Sequence, residues 1–291
     1  MMDFIAGLGV MVVLGVAITI TSLNAKHLKS ETSRKIIHIT MGLTALTFPF
    51  IFENAISVVL LGAAALLALL LLRRVPILRN SIGKALLGVG RKTYGELWFA
   101  FSIAVIFVFH ESLYEYFIPI LVLTFADSVA ALIGASYGRK NLADAEEDAK
   151  SREGSVLFFI VAFICALVPL QLMTEIGRAE VLLISFLVGL LGAMIEAVSI
   201  DGNDNVLLPL LTYSFIRYNS YAPLSLLLTN FAMMMLFWVA LFMVRKTRNL
   251  SRLSMAYGPF GRLCFMDTRR GYVGVFPRCF AFDLWHPAEN G

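Results

Sequence analysis

Runs of about 20 apolar residues, separated by short polar loops, recur along this chain as far as Val244. About 20 residues is the length a helix needs to cross the roughly 30 Å hydrocarbon core of a bilayer. Inside that core only helices and closed barrels satisfy every backbone hydrogen-bonding group. Eight such segments are legible, at residues 4–23, 36–52, 54–72, 96–109, 117–135, 155–173, 181–198 and 221–244. A further stretch, 205–217, is shorter and contains Pro209, and reads as a half-helix or a ninth, tilted span. The expected architecture is an all-α, polytopic transmembrane bundle of seven to nine spans over residues 1–244. A cytoplasmic tail of unassigned role, 245–291, follows and is rich in Gly, Arg and aromatic residues. The composition agrees, since 59% hydrophobic residues and a mean hydropathy of +0.80 exclude an ordinary soluble domain.

The net charge of +4 does not point to nucleic acid, because the cations lie in alternate loops between spans. Loops 24–35, 73–95 and 136–154 and the segment after Val244 carry them, whereas the intervening loops hold only Arg178 and Arg217. The positive-inside rule makes the first set cytoplasmic. That orientation places the N-terminus outside and the C-terminus inside a multi-pass protein of the cell membrane, with an odd number of spans. The N-terminal run lacks a basic flank and a small-residue cleavage site, so it reads as a first span and not as a signal peptide. The three cysteines show no metal-binding or disulfide spacing.

Against this background Asp127 is conspicuous, because it sits within the apolar run IPILVLTFADSVAALIG. An acid at membrane depth costs about 3 kcal/mol or more and usually marks a functional site. Gly134, Gly138, Arg139 and Lys140 follow it, a pattern suited to a phosphate, although glycines four apart also serve close helix packing. In TSRKIIHITMG, Arg34, Lys35 and His38 share one helical face. The cations could be a positive-inside collar, and the histidine a packing residue, a phosphate donor or a proton carrier. Glu96 in RKTYGELWF either favours the start of a helix or orients a cation or metal-bound water. Lys150 and Glu153 in KSREGS flank a helix start, an anion site or a capped helix with a basic collar. In IEAVSIDGNDNVLLPL, Glu196, Asp204 and Asn205 join Asp127 as oxygen ligands sufficient for Mg²⁺ and a triphosphate. Pro209 there suggests a broken helix lining a cavity.

These five motifs, SRKIIHI, RKTYGELWF, FADSVAALIGASYGRK, KSREGS and IEAVSIDGNDNVLLPL, run in order from about residue 33 to Val244. On them the chain resembles the phytol kinase and dolichol kinase family of polyprenol kinases, which is akin to the phosphatidate cytidylyltransferases. The resemblance implies CTP-dependent, or UTP-dependent, phosphorylation of a prenyl alcohol of the phytol, farnesol, geranylgeraniol or dolichol type at the cytoplasmic face. Carried over by position, Asp127, Glu196, Asp204 and Asn205 would hold Mg²⁺ and nucleotide. Arg34, Lys140 and Lys150 would bind phosphates, with Lys35, Gly134, Gly138, Arg139 and Glu153 around them. His38 or Asp127 would take the proton of the alcohol. The acidic loop NLADAEEDAK and the tail depart from the family pattern. A CDP-lipid synthase could use the same parts, and an ion-coupled transporter could use Asp127 and Glu196, although no internal repeat supports the latter.

Overall fold

The computed structural model describes residues 2–24, 30–75, 94–137, 152–199 and 202–246. Every regular element among them is helical: α1 Met2–Leu23, α2 Ser30–Leu46, the short α3 Phe48–Ile51, α4 Ala55–Arg74, α5 Gly95–Phe109 and α6 Leu113–Leu121. There follow α7 Asp127–Tyr137, α8 Arg152–Met173, α9 Arg178–Val198, α10 Asp204–Asn219 and α11 Leu224–Lys246. By its internal contacts the chain divides into Met1–Leu236 and Phe237–Gly291. Of the second unit, residues 237–246 are described, as the last turns of α11.

Among the described residues, five segments are long and apolar enough to cross a membrane: Asp3–Thr21, Ala55–Arg74, Leu113–Gly134, Glu153–Met173 and Arg178–Ala197. Gly95–Phe109 and Leu224–Val239 are apolar but shorter. α2 and α10 form as helices over segments that had been read as spans, but at 17 and 16 residues they extend only about 24–26 Å.

The fourth and fifth of these segments, with the third, build the interior. α6 runs into α7 through a π-helical turn at Val122–Ala126, so residues 113–137 form one rod. Tyr116, Ile118, Ile120, Val122, Leu123 and Ala126 are fully buried, and α2, α8 and α10 pack around this rod. α9 packs on α8 and α10, α5 packs on α4 and α10, and α1 touches α2 and α4. α1 and α4 leave Phe4, Leu8, Val12, Ile56, Leu60 and Leu67 exposed, the apolar surface expected against lipid tails.

Lipid tails are as apolar as leucine, so close packing and polar contacts must hold these helices together. α2 meets the rod along Lys35, Gly42 and Ala45, which are buried, while Ile37 packs on Ile18 of α1 and on Leu69 and Leu72 of α4. A Cβ on Gly42 would collide with the hydroxyl of Thr124 in the π turn, so the glycine permits the approach. Further along, Tyr116 donates from its hydroxyl to the Ala45 carbonyl at 2.8 Å.

Pro209 does not break α10, which runs unbroken from Asp204 to Asn219. A proline has no N–H to give to the carbonyl four residues earlier, here Asn205. Ser102 of α5 takes that role, its hydroxyl lying 3.0 Å from the Asn205 carbonyl and 3.0 Å from the Phe99 carbonyl, so one proton serves both. At the other end of α10, Arg217 accounts for one of the two cations in the intervening loops. It pairs with Glu111 and donates at 2.8 Å to the carbonyl of Phe109, the last residue of α5. Terminal helix carbonyls otherwise have no partner. The N-terminus of α4 is closed from a distance, because Asp3 accepts from Asn54 N and from the Ser57 hydroxyl at 2.8 Å.

The Gly42 contact yields a prediction. Gly42→Ala should lower stability in detergent by about 1–3 kcal/mol, as overpacked sites do. Thr124 has a buried hydroxyl without a hydrogen-bond partner, so Thr124→Ala should be nearly silent alone; it should rescue Gly42→Ala only in part, because the Cβ it keeps would still lie 2.7 Å from the new one. Thermal unfolding of the three variants checks this; additive losses in the double variant would refute the contact.

Candidate functional site

Polar groups that are scattered along the sequence meet where the first turns of α2, α5 and α10 come together. Arg34, His38, Glu96 and Asn205 line one narrow pocket there. Its apolar side is Ile37, Met41 and Phe99. The pocket holds about 10 Å³, room for about one water molecule.

Each wall is positioned by an identifiable contact. On α2, Lys35 Nζ lies 2.5 Å from Asp127 Oδ2, an ion pair whose side chains are only 3% and 13% exposed. His38 Nε2 lies 3.0 Å from the Leu123 carbonyl in the π turn and 3.5 Å from the same Asp127 oxygen. A carbonyl only accepts, so Nε2 carries the proton in that bond, and in the neutral ring the lone pair is on Nδ1. The Phe99 ring stands edge-on to the imidazole, with centroids 4.7 Å apart.

On α5, Glu96 accepts from Arg73 of α4 at 2.6 Å. The Arg73 guanidinium also lies 4.9 Å from the centre of the Tyr94 ring. Glu96 is in the first turn of the helix, and the cation it orients is this arginine. On α10, Gly202 has a φ of 82°, a left-handed conformation natural to glycine, and opens the turn that leads to Asn205. The amide of Asn205 then passes so close to Gly95 that a Cβ there would lie 2.6 Å from Asn205 Nδ2.

Of the expected site residues, Arg34, Lys35, His38, Asp127, Glu96 and Asn205 therefore occupy one region. Glu196 lies near the end of α9 and accepts from the Ser155 hydroxyl of α8 at 3.3 Å. Glu153 is in the first turn of α8, Asp204 accepts from Asn205 N at 3.0 Å, and Gly134 lies within α7. Gly138, Arg139, Lys140 and Lys150 lie outside the described residues. Oxygen donors suited to Mg²⁺ are present, yet among the described residues no three acidic, histidine or cysteine side chains converge. Asp127, Glu196 and Asp204 thus form no ready-made cage, and Asp127 faces Lys35 and His38. Mg²⁺ is commonly held by one or two carboxylates with substrate phosphates completing its shell, a pattern that a single carboxylate such as Asp204 fits.

Comparison with known proteins agrees with the motifs. A curated relative, a phytol kinase of Synechocystis sp., is 32% identical over 203 residues, which span 67% of this chain and 82% of the relative. The chain belongs to the phytol kinase family of polyprenol kinases. No family model matches it, and no solved structure does.

Within this family member, Arg73, Phe99 and Ser102 escaped the reading of the sequence. Arg73 looked like one more loop cation. Phe99 and Ser102 belong to a buried stripe, Gly95, Phe99, Ser102 and Ile106, spaced four, three and four residues apart, and that helical period is the signal that could have revealed them.

The Lys35–Asp127 ion pair determines what substitution at Asp127 should do. Asp127→Asn leaves the Lys35 ammonium buried without its counter-charge, so it should cost about 3–5 kcal/mol of stability besides any loss of activity. Lys35→Met should destabilise comparably, whereas Lys35→Met combined with Asp127→Leu should recover most of the loss. Denaturation midpoints in detergent measure this. Independent, additive effects would show that the pair does not couple.

Proposed function

We propose that the chain is a CTP-dependent kinase that phosphorylates an isoprenoid alcohol of the phytol, farnesol, geranylgeraniol or dolichol type, with UTP as the other candidate donor. The observation that carries this reading is the meeting of Arg34, His38, Glu96 and Asn205 at helix ends, above an apolar floor, in a chain of this family. The relative is named for phytol, which makes phytol the first acceptor to try. The working orientation is that of the charge distribution: a multi-pass protein of the cell membrane, with its N-terminus outside and the pocket opening to the cytoplasm, where nucleotide is available.

Phosphoryl transfer asks a protein for positioning and charge neutralisation more than for covalent chemistry. Arg34, with Lys140 and Lys150 beyond the described residues, would neutralise the phosphates of the donor. Mg²⁺, held by Asp204 or Glu196 together with those phosphates, would supply further neutralisation of the transferred group. In the transfer itself, the hydroxyl oxygen of the alcohol forms a bond to the γ-phosphorus while the bond to the β,γ-bridging oxygen breaks. The leaving group is CDP, which takes the electron pair.

Of the two candidates for the alcohol's proton, the geometry supports His38. Asp127 is matched by Lys35, whereas the Nε2 contact with Leu123 leaves His38 Nδ1 as the basic nitrogen. The Lys35–Asp127 pair then serves to hold α2 against α7, so that His38 stays in place.

The direct test is transfer from γ-³²P-labelled CTP with Mg²⁺ to a panel of phytol, farnesol, geranylgeraniol and dolichol in detergent. The expected result is label in an organic-soluble phosphate, with His38→Gln lowering kcat about 10²–10⁴-fold at a nearly unchanged KM for CTP. Release of pyrophosphate from CTP in the presence of phosphatidate, with no label in any alcohol, would assign a CDP-lipid synthase in its place.

A further inference from the structure

We infer that the pocket between α2, α5 and α10 is the subsite for the acceptor's hydroxyl group, and that the nucleotide binds outside it. The inference rests on the kinase reading and adds to it where the alcohol is held.

Size is the first argument. A cavity of about 10 Å³ admits a group the size of one water molecule, which a primary hydroxyl is and a pyrimidine ring or a phosphate is not. Chemistry is the second. A hydroxyl both donates and accepts, and this pocket offers acceptors in Glu96 and His38 and a donor in Asn205. A phosphate has only acceptors at neutral pH and would meet the Glu96 carboxylate unfavourably. The third argument is the apolar wall. Ile37, Met41 and Phe99 form the remaining lining, an apolar border for the carbon that carries the hydroxyl and of no use to a triphosphate.

The fourth argument is rigidity. Asn205 is held through its carbonyl by Ser102 and closely packed on Gly95, and Glu96 is held by Arg73. Groups fixed in this way suit the orientation of one small polar atom, since a reacting oxygen must be placed within a fraction of an ångström. Met41 and Phe99 thereby become specificity residues for the acceptor, because they border the carbon that carries the hydroxyl.

Steady-state kinetics of Met41→Phe, which narrows the pocket, and of Met41→Leu, which nearly conserves volume and guards against simple misfolding, provide the test. Folding is checked by thermal unfolding in detergent. With the alcohol that the wild type uses best, the expected result for Met41→Phe is a KM for the alcohol raised about 10-fold or more while KM for CTP stays within about 2-fold, with Met41→Leu intermediate. A rise in KM for CTP would overturn the inference and give the pocket to the nucleotide. Unchanged values for both substrates in folded Met41→Phe would overturn it as well. If the wild type labels no alcohol, the kinase reading itself fails, which is a different result from a working kinase whose variants shift the wrong constant.

Discussion

The seating of α2 against the rod formed by α6, the π turn and α7 is the contact on which the rest of this structure depends. Two charges that would be costly alone, Lys35 and Asp127, are buried together there, and removing a partner is worse than removing both. The π turn matters to this pairing. A wider turn inserts one residue into the helix, which rotates everything after it by about 100° relative to a continuous α-helix. Asp127 is the first residue after the inserted turn, so its approach to Lys35 depends on that rotation. The same turn offers the Leu123 carbonyl to His38 and brings Thr124 against Gly42. One local irregularity thus fixes the ion pair, the tautomer of the histidine and the closeness of two helices.

Much of this was legible from the residues, and the parts that were not fail for definable reasons. Helices follow from apolar run length, and seven of the eight segments form helices within a few residues of the ends read, five of them long and apolar enough to cross a membrane; the segment read at 36–52 is divided at Thr47 into α2 and α3. Asp127 announces itself because a charge in an apolar run has no bland explanation. Its partner was also in view, but Lys35 was read toward phosphate, since sequence spacing cannot say which way a long side chain turns. The π turn has no sequence signature. Pro209 was read as a break because the residue that completes its backbone bonding, Ser102, lies on another helix. Arg73 and Glu96 are separated by 22 intervening positions, so their pairing appears only when α4 and α5 are packed.

The two ends of the bundle use polar residues differently, and the contrast bears on function. At one end Arg217, Tyr213 and Glu111 are spent on one another and on the Phe109 carbonyl, a closed arrangement that ties α10 to the ends of α5 and α6. At the other end the polar groups face a cavity. Glu96 and Asn205 are each held from behind, by Arg73 and by Ser102, and present their remaining capacity to the pocket. A bundle stabilised by polar contacts alone would need only the first arrangement. Groups braced from behind and open in front are what binding a ligand requires, because a site must keep its donors and acceptors unspent until the ligand arrives.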